Sequence, residues 1–167
     1  MNKYIEKIQK YLEEEEIEYT YNPQKEMINI EVVKTLDGDY IYEHISKYDD
    51  IIRVSIQTEL KLDNSTQIAN IQNKVSEYIH RVNLDMIRGS FEYDFDSNII
   101  RFKHYLEKNI LSNKDYTIYN IILPVVMFQR YFNGIIETIS TNRPPKEIVD
   151  DIETKVKQEI ETSKNTA

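Results

Sequence analysis

VNLDMIRGSFEYDFDSNIIRFKHYL, residues Val82 to Leu106, passes from a helix end through a glycine into two alternating strands joined by a tight turn. The helical pattern fades between Val82 and Asp85, and Gly89 follows, a residue free to take backbone angles that others avoid. Phe91, Tyr93 and Phe95 then alternate with Glu92, Asp94 and Asp96, the period-2 signature of a half-buried strand. Asp96-Ser97-Asn98 supplies turn chemistry. Ile100, Phe102, His104 and Leu106 alternate with Ile99, Arg101, Lys103 and Tyr105. One strand turns acids outward and the other bases, so Glu92 or Asp94 is expected opposite Arg101 or Lys103. The stretch predicts a β-hairpin.

Upstream, Tyr4, Ile5, Ile8, Tyr11 and Leu12 fall on one face of a helix from Lys3 to about Glu16. Its acidic end, Glu13 to Glu16, reads as a solvated terminus, although four anions there oppose the helix dipole. Strands are expected at Ile17–Tyr21, Ile28–Val32, Tyr40–Ile45 and Ile52–Ile56. Between the second and third, Asp37-Gly38 fits a two-residue hairpin turn, and Tyr48-Asp49-Asp50 marks the next. Asn64 or Ser65, with Gln67 reaching back, would cap a helix whose face is Ile68, Ile71, Val75, Tyr78, Ile79 and Val82.

Downstream of the hairpin, a polar loop from Lys108 to Lys114 leads to a long apolar helix, about Asp115 to Ser140, with Pro124 expected to kink or divide it. The order αββββαββα suits an α+β domain, an antiparallel sheet with helices packed on one face. Residues 1–142 form that domain. After Arg143-Pro144-Pro145, residues 143–167 read as a charged helical tail, disordered from about Ser163. Its thin line of Ile148, Ile152, Val156 and Ile160 is too narrow for a core helix. It suits docking into a groove, on a partner protein or on the chain's own body, and equally a frayed surface helix.

Composition excludes several functions. The net charge of −8 over 167 residues argues against a nucleic-acid partner and against docking on an anionic membrane. No run of apolar residues is long enough to span a bilayer, and MNKYIEKIQKYLEEEE is a charged amphipathic helix, not a signal peptide. With zero cysteines there is no disulfide or thiol chemistry, and a cytoplasmic location is expected.

Catalytic, cofactor and metal signatures are all missing. His44, His80 and His104 lack paired-ligand spacing, and each reads as a surface or satisfied histidine. Asp94-x-Asp96-x-Asn98 opens like a calcium loop but has Ile99 at the position that needs glycine and Tyr105 where it needs glutamate. Three glycines form no phosphate-cradling loop. The carboxylates of Glu92, Asp94 and Asp96 could neighbour one another, yet strand alternation alone explains them. The 13 tyrosines suit either core and edge packing or a recognition surface.

The central stretch and the order of elements resemble the YbjN family, whose fold is that of the type III secretion chaperones. The residues that carry the resemblance are Asn83, Gly89, Phe91, Asp94, Ile100, Phe102 and Tyr131, within about Tyr4 to Thr141. The loop before Asp115 is longer than the pattern expects, and the tail after Pro145 has no counterpart. The resemblance implies a non-enzymatic, cytoplasmic binding module, chaperone- or adaptor-like, with a protein partner and often a homodimer, and no cofactor. Two other functions fit less well. One is an acidic inhibitor or decoy presenting Glu13–Glu16 and Glu92, Asp94 and Asp96 to a basic site. The other is a small hydrolase or transferase, which would need a pocket of clustered titratable groups.

Overall fold

A computed structural model describes residues 2–34, 40–60, 62 and 68–165. The elements are α1 (Lys3–Glu14), β1 (Thr20–Asn22), β2 (Met27–Lys34), β3 (Tyr40–Tyr48), β4 (Ile51–Glu59), α2 (Ile68–Leu84), β5 (Ser90–Asp94), β6 (Ile99–Glu107), a 3₁₀ turn (Lys108–Ser112), α3 (Lys114–Ser140) and α4 (Pro145–Asn165). This is the expected order. The Asp37-Gly38 turn and the Asn64, Ser65 and Gln67 cap lie outside the described residues.

One antiparallel sheet runs β1-β2-β3-β4-β6-β5. Its register places the apolar positions of every strand on one side. Ile45 faces Val54, which faces His104; Ile56 faces Phe102, which faces Phe91. A single buried face follows from the two-residue period, because a one-residue slip would turn the whole set to solvent. The helices cover that face alone. Ile5, Ile8, Tyr11 and Leu12 of α1 pack with Ile28, Ile45, Ile52, Val54 and Leu106. Tyr78 and Ile79 of α2, Phe128 and Ile135 of α3, and Ile148 and Val149 of α4 pack with Ile41, Ile56, Ile100 and Phe102. The other face carries Tyr42, Tyr48, Tyr105, Gln57 and Glu92, all exposed.

Several boundaries shift, each for a local reason. The first strand begins at Thr20, not Ile17, because α1 ends at Glu14 and Glu16 takes a positive φ of 56° to turn the chain. The Lys108–Lys114 segment is no polar loop. It folds as a 3₁₀ turn that buries Leu111, whose carbonyl accepts the Tyr11 hydroxyl at 3.0 Å and so anchors α1. Asn113 then caps α3 by accepting from the Tyr116 amide. Helix α3 continues through Pro124 as one element. Finally, α4 is wider than its thin stripe implies. Val149 beside Ile148 gives it a second buried residue, and both enter the core shared by α2 and α3. The helix is continuous to Asn165.

Candidate functional site: the α2–β5 junction and the groove beside it

Six of the seven pattern residues meet at one junction, and Asp94 closes the hairpin that leads from it. Asn83, in the last turn of α2, accepts from the Phe91 amide and donates to the Phe91 carbonyl, both at 2.9 Å. Its side-chain amide thus satisfies the outward main-chain groups of edge strand β5 as a neighbouring strand would. Gly89 has a φ of 74°, and a Cβ there would lie 2.5 Å from the Phe102 ring and 2.8 Å from the Lys103 carbonyl. Only glycine fits both constraints. Phe91 meets Phe102 edge-on at 4.9 Å and Tyr131 edge-on at 6.1 Å, and Ile100 lies buried in the same cluster. Asp94 closes the hairpin by accepting from the amides of Asp96 and Ser97. The Ser97 hydroxyl first, then those amides, hold its carboxyl below the usual range. Replacing Asn83 with alanine should cost about 1–2 kcal/mol, since two part-buried main-chain groups lose their partner. Equilibrium denaturation would measure it, and an unchanged midpoint would show that water serves those groups equally well.

The Asp85–Arg88 loop leaves this junction with Met86 packed against the core. Met86 donates its amide to the Asn83 carbonyl, while Ile87 is 96% exposed and Leu84 67%. Helix α3 exposes Tyr119, Ile122 and Val126 at helical spacing, and Tyr119 lies across from this loop. Between loop, α3 and the start of α4 lies a cleft of about 500 Å³. Met86, Ile87, Leu123, Met127 and Val149 give it apolar walls, and Arg81, Arg88, Arg130, Asp85 and Glu153 surround them. At its floor Tyr131 donates its hydroxyl to Glu153, tying α3 to α4; burial first, then that carboxylate, pushes the phenol up to about 12.

Its arginines are not equivalent. Arg81 is paired with Glu77 at 2.8 Å. Arg88 bonds Asn120 Oδ1 at 3.4 Å and lies over the Tyr116 ring at 5.4 Å. Arg130 lies beside the Tyr131 hydroxyl. Among the described residues, neither Arg88 nor Arg130 has a carboxylate within ion-pairing distance. Asn120 also accepts from buried His104, Nε2 to Oδ1 at 3.0 Å, and donates to the Tyr116 carbonyl at 2.7 Å. A buried amide thus accepts from the Arg88 guanidinium. Burial keeps His104 below its ordinary pKa, opposed by that hydrogen bond and reinforced by Arg88.

The remaining sequence candidates go elsewhere. Ile148 is fully buried and Ile152 packs against the same core, so half of the proposed partner stripe is spent on the chain's own body. Val156 is half-buried and Ile160 exposed. Five of the seven acids of the decoy reading are engaged locally: Glu14 and Glu15 with Lys114, Glu13 with the Tyr19 hydroxyl, Glu92 with Lys103 at 2.5 Å, and Asp94 in the hairpin turn. His44 bonds Asn29 and His80 is exposed. Among the described residues, no group of three or more acids and histidines could hold a metal, and no helix is long and apolar enough to cross a membrane. Sequence reasoning missed the groove because its walls come from three separate elements. Ile87 and Leu84, apolar residues beyond the helical face of α2, were the available signal.

No protein-family model matches the chain, and no curated protein matches it. Solved structures do. The chain is similar to the crystal structure of YbjN from E. coli, described there as a candidate transcription regulator. The identity is 8%, the match covers 77% of this chain and 91% of that one, and the TM-score is 0.52. It is similar also to an uncharacterised protein from Methanothermobacter thermautotrophicus, at 19% identity, covering 82% and 99% of the two chains with a TM-score of 0.53. At such identities the likeness establishes the fold, which is YbjN-like.

Proposed function

We propose that the chain is a non-enzymatic protein-binding module, and that the groove between the Asp85–Arg88 loop, α3 and α4 takes an amphipathic segment with carboxylates beside its apolar residues. One observation carries this reading. In a protein of net charge −8, an apolar cleft is bordered by two guanidinium groups that have no carboxylate partner among the described residues. Cytoplasmic chaperone or adaptor work fits such a surface. Methionine-lined clefts adapt to varied apolar side chains. Ile87 and Tyr119 of its lining are exposed and add apolar area, as interaction surfaces do. Fixed arginines add selection by charge.

The test is selection of helical peptides from a displayed library against the full chain and against Leu123→Asp/Met127→Asp. Enriched peptides should pair apolar residues at three- and four-residue spacing with acids, and should lose binding to the double variant. Reversing Arg88 and Arg130 to glutamate should shift the preference to basic peptides. Enrichment of basic peptides by the native chain, or binding indifferent to the double variant, would sink the reading.

A further inference from the structure

We infer that the free edge of β6, beyond the point where β5 begins, takes the C-terminal residues of a partner polypeptide. They add to the sheet as an antiparallel strand whose terminal carboxylate rests on Arg88. This second site shares Ile87 and Arg88 with the groove but does not depend on the groove reading.

Strand β6 outruns its edge neighbour. It pairs with β4 from Ile99 to Glu107, but with β5 only from Ile99 to Lys103, which stands opposite Ser90. Alternation fixes where the remaining main chain points. Asn83 takes up the N–H and C=O of Phe91, so those groups face away from β6, and those of Ser90 face toward it and Lys103. Tyr105 and Glu107 follow Lys103 at the same two-residue step and turn the same way. The N–H and C=O of Tyr105 and the N–H of Glu107 therefore project past the end of β5. They have no hydrogen-bond partner among the described residues. An open edge of this kind is a template for an extended chain.

There is room beside it. Gly89, at a φ of 74°, turns the incoming chain off the strand line, and a cleft of about 480 Å³ lies along the edge. Ile110 and the Tyr116 ring line it.

The two ends of this slot differ in charge. One end is closed by Ser90, because β5 already occupies the line. There Arg88 donates to buried Asn120 at 3.4 Å and lies over the Tyr116 ring at 5.4 Å, with no carboxylate partner among the described residues. At the other end stands Glu107, which has no cationic partner among the described residues. A strand that runs up to Ser90 has to end there. An α-ammonium end would set like charges together at Arg88, whereas a carboxylate end gains a charge-assisted hydrogen bond. A strand with its carboxylate at Ser90 and its earlier residues toward Glu107 runs antiparallel to β6. Its last and third-from-last residues, opposite His104 and Leu106, then turn their side chains toward the cleft.

The probe is a library of random peptides displayed with free C-termini and selected on the full chain. Each enriched sequence is then made with a free and with an amidated end. Free-ended peptides should carry apolar residues at the last and third-from-last positions and bind at least about tenfold tighter than their amidated forms. Arg88→Ala should lower the free-ended peptides to the amidated level. Bound peptide should slow amide hydrogen exchange at Tyr105 and Glu107. His104 and Leu106, whose amides face β4, should be unchanged. Tyr105→Pro removes an N–H that no partner in the chain uses, so it should lose binding while still unfolding cooperatively. If that variant fails to fold, the amidation and exchange results decide alone. A library without enrichment, equal binding of amidated peptides, or unchanged exchange at Tyr105 and Glu107 would each overturn the proposal. So would a terminal dipeptide that binds as tightly as the whole sequence, which would mark a carboxylate pocket without an added strand. Native dimers that these peptides dissolve would place a second copy's own terminus in the slot and overturn a separate partner.

Discussion

Gly134→Ala is expected to destabilise the protein by about 2 kcal/mol, although alanine is the better helix former. An added Cβ would lie 2.2 Å from the Tyr78 hydroxyl oxygen, 2.7 Å from its Cζ and 2.9 Å from Ile152 Cδ1. Gly134 is therefore where α2 and α4 both close upon α3. Its backbone is ordinary helix, so the matter is space and not φ. Tyr78 has no room to retreat. It is fully buried, and its hydroxyl donates to the Tyr131 carbonyl at 2.9 Å. Overpacking costs about 1–3 kcal/mol, and a lost hydrogen bond adds about 1. The gain in helix propensity returns about 1.

The loss should be local as well as global, because Ile152 is the easier group to move and α4 would lift with it. Val149 and Glu153, which wall the groove, lie within one turn on the same helix. Denaturant titration of Gly134→Ala, of Tyr78→Phe and of the double variant would measure the coupling. Removing the hydroxyl removes the closest contact, so the second substitution should cost less in the alanine background than alone. Additive costs would mean that the three helices do not meet at Gly134 as described.

What was legible in the sequence follows from what each feature depends on. Strand and helix order could be read because the periods of two and 3.6 are local, and the Val82–Leu106 stretch carries both with a glycine between them. Its pattern residues also form one assembly in space, Asn83 bracketing Phe91 and Gly89 yielding to Phe102. The 3₁₀ turn was hidden because one buried residue, Leu111, gives no period. Helix α4 was read as a narrow stripe because a four-residue step misses Val149, and burial of its first turns needed knowledge of where α2 and α3 lie. The groove was out of reach for the same reason. Met86, Leu123 and Val149 are far apart in sequence, and that Arg88 has no carboxylate partner among the described residues is a fact about distances.

Glu43→Met is expected to stabilise the protein by about 2–3 kcal/mol at neutral pH, the opposite sign from most core substitutions. Glu43 stands on the covered face of the sheet, opposite Ile30 on one side and Ile56 on the other, and it is fully buried. Neither carboxyl oxygen has a hydrogen-bond partner among the described residues. Sequence alternation alone would assign this position to an apolar residue, between Ile41 and Ile45 on the same face of β3. Burial therefore raises its pKa well above the ordinary carboxylate value. The sign of the pH dependence follows. The folded state holds this proton more tightly than the unfolded chain, so the contribution to stability is complete below the unfolded pKa and is lost as pH rises through the folded one. Asp50 and Asp94 have lowered values and act in the opposite sense at acid pH, but both are exposed. Native protein should consequently lose stability from mildly acid to neutral pH, and Glu43→Met should be flat over that range and more stable at its upper end. Glu43→Gln should share the flat profile and gain less, since an amide also needs partners. Denaturation midpoints at a series of pH values would decide it. A destabilised Glu43→Met with a native pH slope would show that the carboxylate is paired and ionised in the fold, and that β3 keeps it for that pairing.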